Sequence, residues 1–131
     1  MPRILLVAML VGIVVGACVN DASADQTLNR AATVAPGGKI RIGGWTYFDN
    51  LESCKPGDPP PIAAGTSPHL GKISSMPEKM TDRRFCKTVE LTGTAVYYQA
   101  GSVPGTDTFQ YFVRYPFPPG LYTINMTITI K

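Results

Sequence analysis

Few side chains of this 131-residue chain are equipped for chemistry, and their spacing limits what that chemistry can be. His69 is the single histidine, and it follows Pro68 in a turn-like stretch. A Ser-His-Asp triad would have to recruit it, yet no Gly-x-Ser-x-Gly elbow or other nucleophile signature is present, so a solvated turn histidine is expected. Asp49 and Glu52 lie near Trp45, Tyr47 and Phe48, a composition that sugar-cleaving sites share. Sequence proximity does not set the separation that two catalytic carboxylates need, and turn residues after a strand are the expectation. Cys54 and Cys86 form an even pair once Cys18 is assigned to a leader. A metal site would need two further ligands, and a reactive thiol a neighbouring base. Neither is present, which leaves a disulfide as the expected state in an oxidising compartment. Closing a loop of that separation stabilises a fold by about 3.7 kcal/mol in the chain-entropy treatment. These residues predict no enzyme, no metal and no cofactor.

Binding has more candidates than catalysis. Lys79, Arg83, Arg84 and Lys87 form the basic concentration of the chain, on either side of Cys86. Such a patch suits anionic lipid headgroups or cell-wall polymers, although Glu78 and Asp82 dilute it and a solvated loop is the alternative. Phe117, flanked by prolines, and Phe112, on the outer face of its strand by parity, are expected to reach solvent. With Tyr97 they make a candidate partner surface, unless residues 53–68 cover that face. Asn125-Met126-Thr127 matches a glycosylation sequon but falls inside a strand, where it reads as a coincidence.

These side chains follow an export signal. Arg3 precedes the apolar run 4–15, and the run ends by Val19 with Gly12 and Gly16 inside it. A transmembrane span needs roughly 20 apolar residues, so the segment reads as the h-region of a signal peptide. Two processing routes are open. Ala22-Ser23-Ala24 before Asp25 is a small-x-small peptidase site that releases a soluble chain. Val15-Gly16-Ala17-Cys18 resembles the lipobox of bacterial lipoproteins, which leaves Cys18 diacylated. The soluble route is the first expectation, with a signal peptide over 1–24 and one domain over 25–131, periplasmic or secreted. The other route gives an outer-membrane lipoprotein. Mass spectrometry of the mature amino terminus separates them, reading either Asp25 or an acylated Cys18.

The length from Asp25 onward allows a single core. The net charge of +3 is unchanged by removing the leader's one Arg and one Asp, and a balance so mild argues against a nucleic-acid partner. Twelve prolines and thirteen glycines punctuate the chain at short intervals without sustained helical periodicity, which predicts an all-β domain. Helix is confined to residues 76–84, where Pro77 suits a first turn, with a loop as the alternative. At the carboxyl end Tyr122, Ile124, Met126, Ile128 and Ile130 alternate with polar residues, and Phe109, Tyr111, Val113 and Tyr115 share one face of the preceding strand. The two segments read as the last hairpin. Shorter strands are expected over 39–42, 45–48, 71–74, 87–91 and 94–99, with another over 29–34, and residues 53–68 should be irregular. That makes about seven strands, the number of an immunoglobulin-like antiparallel β-sandwich. Trp45 would anchor its core, with an indole N–H in need of a partner.

The run Gly93-x-x-Val96-Tyr97-Tyr98, then Gly105-Thr106-Asp107-Thr108-Phe109-x-Tyr111-x-Val113 and an alternating strand, resembles the end of bacterial cadherin-like and immunoglobulin-like repeats of exported proteins. Pro60-Pro61-Ile62 and the run from Ser67 to Ile73 resemble the same family's upstream hairpin. The resemblance implies a β-sandwich at the cell surface or beyond it, and no enzymatic activity. Read from the residues alone, Gly105 permits a tight turn and Asp107 accepts backbone N–H bonds as an Asx-turn at the strand entry. Such repeats often share Ca²⁺, but this chain has no Asp-x-Asp-x-Asp run, so calcium is not expected. The expectation is thus a non-enzymatic interaction or structural module of the cell envelope. Its partner would be an envelope protein or a glycan and not a nucleic acid, with membrane contact only if Cys18 carries lipid.

Overall fold

The computed structural model describes residues 25–82, 84–116 and 119–131. The leader with Cys18, and the candidates Arg83 and Phe117, lie outside the described residues. Among the described residues the chain forms nine strands and no helix. They are β1 (Gln26–Val34), β2 (Lys39–Trp45), β3 (Phe48–Asn50), β4 (Lys55–Pro56), β5 (Ile62–Ala64), β6 (Gly71–Thr81), β7 (Glu90–Ala100), β8 (Gly105–Pro116) and β9 (Pro119–Ile130). One sheet has the order β1-β9-β8-β5, the other β2-β7-β6, while β3 and β4 pair only with each other. Pairing is antiparallel except for β1, which runs parallel to β9 from Gln26 beside Tyr122 to Val34 beside Ile130. The seven strands of the two packed sheets make an immunoglobulin-like β-sandwich.

Alternation builds the core as the sequence predicts. Ile124, Met126, Ile128 and Ile130 of β9 and Phe109, Tyr111 and Val113 of β8 pack against Val96 and Tyr98 of β7 and Ile42 and Trp45 of β2. The indole N–H of Trp45 donates to the Tyr111 hydroxyl at 3.2 Å, so the buried donor is satisfied.

Several elements differ from expectation. Residues 76–81 are neither helix nor loop, because β6 pairs with β7 residue for residue from Gly71 beside Ala100 to Thr81 beside Glu90. Pro77 is tolerated there because β6 is an edge strand. β7 is one strand instead of two. Gly93 does not turn the chain; a Cβ there would stand 2.6 Å from the Trp45 carbonyl oxygen, so the glycine permits a close crossing. A register shift between Arg41 and Gly43 likewise lets β2 run on to Trp45. Residues 53–68 are not wholly irregular, since β5 completes the first sheet beside β8. Three residues between proline and glycine runs are too short for a periodicity signal.

Asp107 also departs from the local turn expected of it. Its side chain is 1 % exposed, and its partners come from distant chain: Oδ1 accepts the His69 N–H at 2.8 Å, and Oδ2 accepts the Leu70 N–H at 2.9 Å and the Tyr98 hydroxyl at 2.6 Å. The carboxylate pins the β5–β6 connection to the end of the sandwich, with the Tyr98 ring stacked on Phe109 at 5.4 Å. Burial alone would raise the Asp107 pKa, but the three hydrogen bonds outweigh it and hold the carboxyl below its ordinary value. Burial and the same carboxylate push the Tyr98 hydroxyl up.

Asp107→Asn turns an amide N–H₂ toward donors and should lower stability at neutral pH by about 2–3 kcal/mol in urea unfolding. A lowered native pKa contributes stability in full above about pH 5 and loses it as pH falls through the native value. The wild-type and Asn curves should therefore converge on acidification. Curves that stay parallel would remove the ionised carboxylate as the source.

Candidate functional site

The end of the sandwich opposite Asp107 gathers the start of β1, the end of β2, the β3–β4 hairpin, the described part of the β6–β7 connection, the end of β8 and the start of β9. Trp45 closes it from inside, its ring set edge-on to Tyr111 and Tyr122 at 6.5 and 5.9 Å, with the Arg30 guanidinium 5.1 Å from its centroid. The next side chains diverge. Tyr47 meets Tyr115 at 6.0 Å, whereas Phe48 enters a second small cluster with Leu91 and Cys86, flanked by Cys54 and Val89. In the hairpin turn the Asn50 side chain accepts the N–H groups of Glu52 and Ser53 at 2.9 and 3.1 Å. Asp82 performs the same service in the facing connection, accepting the Phe85 N–H at 2.7 Å and those of Arg84 and Cys86 at longer range. Cys54 and Cys86 join the two turns as a disulfide, with 5.7 Å between their Cα atoms.

A cleft of about 630 Å³ opens beside this hairpin. Pro59, Pro60 and Pro61 form one wall, held by the Thr94 hydroxyl donating to the Pro60 carbonyl at 2.6 Å and the Arg114 N–H donating to that of Pro61 at 3.3 Å. Tyr47, Asp49, Asp58, Arg114 and Pro116 complete the lining. Gly57 lets the chain before Asp58 approach Tyr47 and Asp49 closely, since its N–H bonds the Tyr47 carbonyl at 2.9 Å and a Cβ there would stand 2.8 Å from the Asp49 carboxylate. The ion pair found among the described residues, Arg41 with Glu78 at 3.8 Å, involves none of the three cleft charges. The cleft thus offers largely apolar lining with two carboxylates and a guanidinium that form no ion pair within 4 Å among the described residues.

Of the aromatic surface expected from Tyr97, Phe112 and Phe117, the two described members, Tyr97 and Phe112, do not come together. Tyr97 alternates with buried Tyr98 and lies on the outside of the β2-β7-β6 sheet; Phe112 alternates with buried Tyr111 and Val113 on the outside of the other sheet. Opposite faces of a sandwich cannot share a ligand. Tyr97 is occupied instead: its hydroxyl donates to Glu78 at 2.9 Å, a bond that together with partial burial raises its pKa, and the Lys39 ammonium sits 5.1 Å over its ring. Phe112 lies beside Ala63 of β5, which comes alongside it and not over it. Lys79, Arg84 and Lys87 are exposed around the disulfide pole, with the Arg84 guanidinium 5.3 Å from the Phe85 ring centroid. His69 is exposed and contributes its backbone N–H to Asp107. Of the carboxylates near Trp45, Asp49 lines the cleft while Glu52 is exposed in the hairpin turn, where its backbone N–H donates to the Asn50 side chain. Among the described residues no group of three His, Cys, Asp or Glu side chains could hold a metal ion. Asp58, Arg114, Leu51 and Phe85 were not singled out by the sequence; only the adjacency of Phe85 to Cys86 was a usable signal.

No protein-family model and no curated protein matches the chain. Among solved structures it is similar to the solution structure of amebosin, at 13 % identity over 82 % of this chain and 98 % of that one, with a TM-score of 0.37. A likeness of that size carries no conclusion about fold or function.

The pole depends on its disulfide, so replacing Cys54 and Cys86 together by Ala should cost up to about 3.7 kcal/mol in denaturant unfolding. Hydrogen exchange should accelerate first in residues 48–56 and 84–89. Uniform acceleration through β7 and β8 would show that the bridge supports the whole sandwich equally.

Proposed function

We propose that this protein is an exported, non-enzymatic interaction module of the cell envelope that engages an envelope protein or glycan at its disulfide pole. The observation that carries this reading is the cleft between Tyr47 and the Pro59–Pro61 wall, with Asp49, Asp58 and Arg114 left without ion-pair partners among the described residues. Loops gathered at one end of a rigid sandwich are where recognition is commonly placed, because the sheets fix the loop ends while their side chains stay free to vary. The signal-like leader supports export, and a disulfide suits an oxidising compartment. A second reading, a lipid-anchored form of the same module, is favoured by the lipobox-like run ending at Cys18.

Retention on purified peptidoglycan sacculi and on a glycan array tests the cleft. Arg114 is exposed, so Arg114→Glu should leave the melting temperature unchanged and weaken retention about tenfold or more. Equal retention of wild type and variant on every ligand would remove the cleft as the binding surface.

A further inference from the structure

We propose that the tip of the disulfide pole docks on an anionic lipid bilayer, with Leu51 and Phe85 entering between headgroups and the surrounding basic side chains meeting phosphate. The observation is an apolar pair that a covalent bond holds in the open. Leu51 in the β3–β4 turn is 53 % exposed and Phe85 in the β6–β7 connection 62 %. Phe48 and Leu91 close by are buried, so apolar side chains at this pole have an interior available, and these two lie outside it. Their backbones are joined at the bridge, since the Leu51 carbonyl oxygen lies 3.7 Å from both disulfide sulfurs and Phe85 directly precedes Cys86. Nor are they tips of slack loops. Asn50 and Asp82 satisfy the backbone donors of the two turns, leaving the apolar side chains pointed outward from a braced backbone.

Charge at the tip itself favours an anionic partner. Within three residues of either sulfur, Lys55, Arg84 and Lys87 are exposed against Glu52 among the described residues, whereas the exposed Asp49 and Asp58 line the cleft and the Asp82 carboxylate is committed to backbone N–H groups. The Arg84 guanidinium over the Phe85 ring pairs a cation with the side chain that inserts, the arrangement in which a long basic residue keeps its head at phosphate level above a buried ring. A soluble polyanion or a wall polymer would use the basic residues and gain nothing from Leu51 and Phe85. A bilayer interface uses both.

The chain's entry agrees with this orientation. Asp25, the first described residue, is held at the same pole, where its Oδ1 accepts the Leu121 N–H at 2.9 Å and Gln26 pairs with Tyr122. Should Cys18 carry lipid, the six residues from Val19 to Ala24 span at most about 20–22 Å, which brings this pole and not the Asp107 pole to the membrane. A diacylated Cys18 would anchor by itself, so the tip would orient the domain on the bilayer in that form, and it acts without lipidation too.

Cosedimentation of the oxidised, unlipidated chain from Asp25 with vesicles tests this. Binding is expected to a two-to-one mixture of phosphatidylcholine and phosphatidylglycerol, and about tenfold weaker or less to phosphatidylcholine alone. The double variant Leu51→Ala, Phe85→Ala should weaken binding about tenfold or more at an unchanged melting temperature, and Lys87→Glu about tenfold. Phe85→Trp should show a blue-shifted emission on the mixed vesicles. Arg114→Glu, which tests the cleft, should leave partitioning unaltered, so failure of one surface is distinguishable from failure of the other. The proposal is overturned by absence of binding to the mixed vesicles, by full binding of the double Ala variant with loss in high salt, which assigns charge alone, or by Arg114→Glu weakening binding as much as the tip variants.

Discussion

The Cys54–Cys86 bridge ties the β3–β4 hairpin, which belongs to neither sheet, to the connection between β6 and β7, and the form of the whole pole follows from that tie. Two paired positions, Phe48 with Pro56 and Asn50 with Lys55, do not hold a hairpin in water by themselves. Phe48, Leu91 and Cys86 bury only a small apolar cluster beneath it. The crosslink supplies what packing does not. It holds the Leu51 backbone next to Cys86, the residue after Phe85, while the Gly57 N–H bond to the Tyr47 carbonyl and the Tyr47–Tyr115 ring contact place the cleft side of the hairpin. The tip is therefore the surface that depends most directly on the covalent constraint.

The other end of the molecule is fastened by a different force. Asp107 receives two backbone N–H groups and a tyrosine hydroxyl in a buried setting, an arrangement whose strength depends on ionisation. One pole thus responds to acid and the other to reductant, with the Trp45–Tyr111 pair and the aliphatic layers of β8 and β9 between them. Separation of the two fasteners by a packed core lets the disulfide pole loosen while the Asp107 pole and the sheets remain closed.

The regular part of the fold was legible because alternation carries it. Ile124, Met126, Ile128 and Ile130, and Phe109, Tyr111 and Val113, went inward as their period demands, and the even cysteine pair joined. Parity also separates Tyr97 from Phe112 once the strands are assigned to opposite sheets, and the sequence alone does not make that assignment. What could not be read was tertiary. Gly93 looks like a strand break and is a crossing point; Pro77 looks like a helix start and sits in an edge strand; Asp107 looks like a local cap and clamps chain 37 residues away. The cleft combines Tyr47, Asp58 and Arg114 from three separate segments, so no motif spacing announces it.

The placement of charge over the surface favours the disulfide pole as the place for the proposed recognition. On the outer face of the β1-β9-β8 strands the aligned rows run Thr33, Thr129 and Thr106, then Ala31, Thr127 and Thr108, then Asn29, Asn125 and Gln110, with the three amides hydrogen-bonded to one another at 3.0 Å. No charge stands in those rows, so they offer an ionic partner nothing. On the opposite outer face Arg41 lies 3.8 Å from Glu78 and Lys39 over the Tyr97 ring, which leaves Lys72 as the exposed charge of that face without a partner among the described residues. The long β6 edge is blunted by Lys72, Pro77 and Lys79, which discourages strand addition along it. Met76 on β6 and Val103 between β7 and β8 are also exposed, but the disulfide pole is where exposed Leu51 and Phe85 stand with exposed basic side chains and the carboxylates of the cleft, and a surface of that mixture costs solubility unless contact with a partner offsets it.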